Sequence, residues 1–106
     1  MNKISMNDIS KIALLIASST SASKIYLFGS YANGNPREES DIDLCVLTND
    51  PRRKIDILRE LNRTVAYESD VPLDILVYSP QEFYNRADST TSLESKILKS
   101  GVELSL

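Results

Sequence analysis

Two aspartates, Asp41 and Asp43, stand two positions apart at the head of the apolar run Ile42-Asp43-Leu44-Cys45-Val46-Leu47. In an extended strand, residues two apart point to the same side, so this spacing projects both carboxylates together. Strand interiors disfavour aspartate, and two adjacent carboxylates do not both stay ionised cheaply unless a cation lies between them. The pair reads as a ligand set for a hard divalent ion, Mg²⁺ above all. A Gly29-Ser30 pair closes an earlier apolar run, and a third aspartate, Asp74, is the second residue of the run Leu73-Asp74-Ile75-Leu76-Val77-Tyr78. Taken singly, a glycine-serine pair is most often a turn, and an aspartate at a strand start is often an exposed edge position. Their occurrence together is what points to a site.

The chemistry open to the chain is narrow. It contains no histidine and one cysteine, Cys45, which removes imidazole catalysis, ordinary structural zinc sites and any internal disulfide. What remains is carboxylates, hydroxyls, backbone amides and a bound cation. Cys45 reads as a small core residue.

The elements that must position these groups follow from periodicity. Asn7 or Asp8 can cap a first helix, with Ile9, Ile12, Ala13 and Ile16 at helical spacing and Leu15 widening the stripe. The polar string from Ser18 to Ser23 ends it. Lys24 to Phe28 is a first strand, Asn33-Gly34-Asn35-Pro36 is turn chemistry, and Asp41 to Thr48 is a second strand. Asp50-Pro51 predicts the start of a helix with Ile55, Leu58, Leu61 and Val65 facing inward. Leu73 to Tyr78 is a third strand. Ser79-Pro80-Gln81-Glu82 and Thr91-Ser92-Leu93-Glu94 each fit a capping box, and the second starts a helix carrying Leu93, Ile97 and Leu98. Val102 to Leu106 is a candidate last strand. The expected fold is α+β, a small mixed sheet covered by helices on one face. An antiparallel pairing of the first two strands brings Gly29 near Asp41. Asp74 reaches the same place if the third strand lies beside the second with its start aligned.

Length and composition set the outer bounds. The 106 residues suit a single domain spanning 1–106, and 42% hydrophobic with 25% charged residues is ordinary for a globular chain. A net charge of −3 weighs against broad nucleic-acid binding, which needs a basic footprint. The arginines and lysine of the second long helix (Arg52, Arg53, Lys54, Arg59, Arg63) read as a solvated face. No run approaches the ~20 apolar residues that span a bilayer. The N-terminal residues lack a secretory pattern, and the expected location is the cytoplasm. No stretch identifies an oligomeric interface.

The motif residues carry a resemblance. Leu27-Phe28-Gly29-Ser30-Tyr31-Ala32, then Gly34, then Ser40-Asp41-Ile42-Asp43-Leu44, then a later strand aspartate, is similar to the nucleotidyltransferase superfamily that includes DNA polymerase β, and to its minimal stand-alone members in particular. The similarity covers about Lys24 to Tyr78. It implies a polymerase β palm-like core with two Mg²⁺ ions and ATP as substrate. Asp41 and Asp43 would hold both ions and the nucleotide phosphates, Asp74 the catalytic ion, and Gly29 and Ser30 the triphosphate. It also implies transfer of a nucleoside monophosphate, AMP above all, to an acceptor hydroxyl. Minimal members commonly act as antitoxins that modify a tyrosine of a HEPN-type partner. The rivals are a small-molecule acceptor and a binding module without catalysis. The chain departs from the family pattern at Asn33, where arginine is usual; Arg37 lies in the same loop and is a candidate replacement.

Overall fold

The computed structural model describes residues 4–34, 36 and 40–106, the Glu68 side chain excepted. In chain order the elements are α1 (Met6–Thr20), β1 (Lys24–Phe28), β2 (Ile42–Leu47), α2 (Lys54–Glu68), β3 (Leu73–Tyr78), α3 (Pro80–Ala87), α4 (Leu93–Ser100) and β4 (Val102–Glu103). The strands form one mixed sheet in the order β3-β2-β1-β4. β1 runs antiparallel to β2, as the chain reversal between them demands, and antiparallel to β4. β2 and β3 are parallel, which needs a crossover, and α2 supplies it. No helix among the described residues is long and apolar enough to cross a membrane.

Alternation along the strands sorts the core into two layers. Ile25 and Leu27 of β1, Ile42, Leu44 and Val46 of β2, and Ile75 and Val77 of β3 share one face. They pack against Ile9, Ala13 and Ile16 of α1 and Ile57, Leu61 and Val65 of α2. This is the helix-covered face expected from the sequence. The opposite face carries Tyr26, Cys45, Leu47 and Tyr78, and α3 and α4 close its far half through Phe83 and Ile97. Phe83 is fully buried, stacked on Tyr26 at 5.9 Å and edge-on to Tyr78 at 5.5 Å. Truncating it to alanine is expected to cost about 3–5 kcal/mol. The near half of that face, at the beginnings of β2 and β3, is left uncovered by these two helices.

Several local expectations shift, each for a physical reason. Ser5, not Asn7 or Asp8, caps α1: its hydroxyl accepts from the Asp8 amide while the Asp8 carboxylate accepts from the Ser5 amide, a reciprocal box. α1 runs through Ser18 and Ser19 to Thr20, whose hydroxyl donates to the Ile16 carbonyl, and it stops at Ser21 in the left-handed region (φ 53°). Leu15 is exposed. α2 starts at Lys54 rather than at Asp50-Pro51, because the Asp50 carboxylate is taken by the Arg52 amide and guanidinium. Ile55 faces outward and Ile57 inward, while Leu58, Leu61 and Val65 pack on the core as expected. The basic residues in and just before α2 are largely paired with acids: Arg52 with Glu60, Arg53 and Arg59 with Asp56, and Lys54 with Glu82. These exposed pairs add little stability. α4 is capped by Ser92, not Thr91; Glu94 is buried, while Leu93 and Leu98 are exposed. Ser79 caps α3 as expected, with Pro80 in its first turn.

Candidate active site

β1 ends at Phe28, directly across from Asp43 on β2. The chain then turns sharply at Gly29, with φ +76°, and the Asn33 amide donates to the Gly29 carbonyl at 3.1 Å to close the turn. Two independent constraints require glycine here. L-residues rarely adopt that φ, and a Cβ built on Gly29 would overlap the Asp43 carboxylate. The carboxylate therefore lies against the bare backbone of the turn. Ser30 follows, half-buried, and Tyr31 and Ala32 anchor the turn by packing on the main core.

The parallel register places Asp74 directly beside Asp43, and both project from the sheet face that α3 and α4 leave open at this end. The Ile42 amide donates to the Pro72 carbonyl at 2.9 Å, which locks the starts of the two strands together. Asp43 is half-buried, while Asp41 and Asp74 are exposed. The Asp43 carboxyl is held above its ordinary value, first by burial, then by the charges of Asp74 and Asp41, and by a hydrogen bond shared with Asp74. Every one of these influences disfavours the ionised form. Such an arrangement is costly for a site with no cation to receive and suited to one that receives it.

The sequence pattern of the polymerase beta nucleotidyltransferase family matches residues 10–105. The chain belongs to that family. A protein of Methanocaldococcus jannaschii named as a protein adenylyltransferase is 37% identical over 62 residues, which are 55% of this chain and 42% of that relative. The chain thus spans under half the length of the curated relative it matches. Two crystal structures share the fold. One, described as a toxin-antitoxin with AMP-PNP, has a TM-score of 0.58 and 22% identity over 91% of this chain and 72% of its own. The other, a mutant of the toxin-antitoxin MntA-HpeT, has a TM-score of 0.60 and 24% identity over 96% of this chain and 73% of its own.

In this polymerase beta family member the structure brings Gly29, Ser30, Asp43 and Asp74 to one corner. Asp41 stands just ahead of β2, outside the strand and within electrostatic reach of Asp43. Among the described residues, no three acidic or cysteine side chains are gathered closely enough to form a ready-made metal cage. The donor set nevertheless fits Mg²⁺, which is usually held by one or two carboxylates plus substrate phosphates rather than by an all-protein cage. Arg37, the candidate replacement for the family arginine, lies outside the described residues. Asn33 is exposed in the turn.

Sequence reasoning did not find Glu94. Its carboxylate accepts the Tyr78 hydroxyl at 2.5 Å inside the closed half of the same face. The only available signal was its place three residues after Thr91, and that signal pointed to a helix cap.

Proposed function

We propose that the chain is a Mg²⁺-dependent nucleotidyltransferase, a single minimal domain that moves AMP from ATP to a hydroxyl of a protein partner and thereby acts as the antitoxin of a toxin-antitoxin pair. The observation that carries the reading is the side-by-side placement of Asp43 and Asp74 against the Gly29 turn, on the open half of the sheet. Family membership supports the reaction class. A relative named as a protein adenylyltransferase supports a protein acceptor. A structural neighbour with AMP-PNP supports an adenine nucleotide. Both neighbours are toxin-antitoxin complexes, which supports a toxin partner, and a HEPN-type helical protein is the expected one. A mutant of one neighbour changes two aspartates two positions apart to glutamate, the spacing of Asp41 and Asp43 here. A lone buried cysteine agrees with a reducing cytoplasm.

Each residue then has a task. Asp41 and Asp43 would hold two Mg²⁺ ions and Asp74 one of them; when bound, the ions neutralise the triphosphate and stabilise the attacking and leaving oxygens of an in-line displacement. Gly29 and Ser30 offer backbone amides and a hydroxyl to the phosphates. Asp74, the more exposed of the paired carboxylates, faces the acceptor and accepts its proton. The acceptor oxygen forms a bond to the α-phosphorus as the bond to pyrophosphate breaks.

The test is incubation of the chain with α-labelled ATP, Mg²⁺ and the product of a neighbouring gene. Label on that protein, lost in Asp74→Asn, is the expected result. Failure to label any protein or small molecule, with neutralisation surviving in an Asp41→Asn, Asp43→Asn double variant, would overturn catalysis and leave a binding antitoxin. Asn33, in place of the family arginine, is the residue that keeps this second reading open.

A further inference from the structure

β3 is an outer strand of the sheet and carries Asp74 as its second residue. Two hydrogen bonds define which of its backbone groups are used. The Ile42 amide donates to the Pro72 carbonyl and the Thr48 amide to the Tyr78 carbonyl, each at 2.9 Å. In a parallel ladder the groups facing the neighbour recur at every second residue. Asp74, Leu76 and Tyr78 therefore direct their amides and carbonyls at β2, and Leu73, Ile75 and Val77 direct theirs outward. Among the described residues no other strand pairs with that edge. A six-residue edge with three outward donors and three outward acceptors is a template for an added strand.

We propose that this edge receives an extended segment of the protein acceptor, which pairs with Leu73, Ile75 and Val77 and sets a hydroxyl side chain beside Asp74. The inference rests on the reading of the site as a transferase. Asp74 points its own backbone groups inward, so an antiparallel segment would meet it in a non-hydrogen-bonded pair, the arrangement in which opposing side chains lie closest. That opposing side chain emerges on the open face, with Asp74 between it and Asp43.

The edge also specifies the composition of its occupant. Residues paired with Leu73, Ile75 and Val77 would extend the face that packs on α1 and α2, so they should be apolar. Those on the other face would flank Asp74, which adjoins Asp43 on its other side. Basic residues around the hydroxyl complement this acidic end. A second copy of the chain would set another acidic β3 against this one, which the same charges oppose.

The probe is a seven-residue peptide with valine at odd positions and arginine, tyrosine and arginine at positions two, four and six. Two further versions carry N-methyl groups on either the odd or the even amides. Odd-position methylation, which removes the donors facing β3, is expected to weaken binding to the full chain about tenfold or more; even-position methylation should change it little. The parent peptide should also slow hydrogen exchange at the Ile75 and Val77 amides. No binding at millimolar peptide, equal effects of the two methylated versions, unprotected edge amides, or a dimer in sedimentation that occupies β3 would each overturn the proposal. Binding is read separately from chemistry. Edge protection without AMP transfer to the tyrosine would count against the transferase reading and leave the docking edge standing. Transfer without protection would do the reverse.

Discussion

The two ends of one sheet face each hold a carboxylate, and their surroundings are opposite. At the closed end Glu94 is buried beneath α3 and α4 and receives the Tyr78 hydroxyl; burial and that carboxylate together push the Tyr78 phenol well above its ordinary range. Among the described residues no buried side-chain polar atom lacks a partner, so this end is complete in itself. At the open end Asp43 is half-buried and meets Asp74 and Asp41. A neutral donor satisfies one carboxylate, whereas more negative charge faces the other. Cys45 lies between them on β2, fully buried, its thiol pushed up to about 12 chiefly by burial and further by Glu94, and so inert as a nucleophile. Residues at the closed end should therefore govern stability and those at the open end activity.

Substitutions at the open end should give the largest effects. Asp43→Asn and Asp74→Asn are each expected to lower AMP transfer by on the order of 10²–10⁴-fold, measured with labelled ATP, with circular dichroism unchanged. If either variant unfolds, that end is structural and the contrast fails. Gly29→Ala lies at the same corner and should damage both properties, since it forces a side chain into the left-handed region and against Asp43. A loss of about 1–3 kcal/mol in urea unfolding should accompany reduced transfer.

At the closed end, Tyr78→Phe removes the hydroxyl and leaves the Glu94 carboxylate buried without its donor. It should destabilise by about 1–3 kcal/mol and leave transfer within about threefold of the parent, an effect of well under 1.4 kcal/mol on the barrier. A large activity loss in a folded Tyr78→Phe protein would show that the two ends are coupled.

The smallest effect is a pH slope. The folded-state value of Asp43 is raised, so over the interval between its unfolded and folded values the folded chain binds more protons than the unfolded one. Stability of the Mg²⁺-free protein should then decline as pH rises through that interval. Asp74→Asn should flatten the decline without abolishing it, because burial, the largest cause, remains. Mg²⁺ should raise the unfolding midpoint by a few degrees near neutral pH and by less at pH 4, where protons compete for the same oxygens. A midpoint indifferent to both Mg²⁺ and this substitution would remove the strain argument.

How much of this was legible beforehand varies by element. β1 and β3 begin and end where their apolar runs do, and Ser79-Pro80 starts α3 as its capping chemistry requires. These are local signals, carried by residues within one or two turns of each other. The Asp50-Pro51 and Thr91-Glu94 signals were equally good on paper. They were overridden when Arg52 captured Asp50 and Tyr78 captured Glu94, partners 2 and 16 residues away. Among the candidate site residues, Gly29 was expected near Asp41, and the structure adds its close contact with the Asp43 carboxylate.

By itself the sequence determined the chemical repertoire, carboxylates without histidine, and the period-two spacing that any strand must convert into carboxylates on one side. It also put a glycine directly after the first apolar run, free to adopt the turn that follows. Only the tertiary structure decided that Asp74 lies against Asp43, that Asp41 stays outside the strand, and that α3 and α4 close one half of the face and leave the other open. The physical reason is that strand periodicity is a property of neighbouring residues. The pairing of β2 with β3 joins residues far apart in the chain across the α2 crossover, and no short stretch of sequence encodes it.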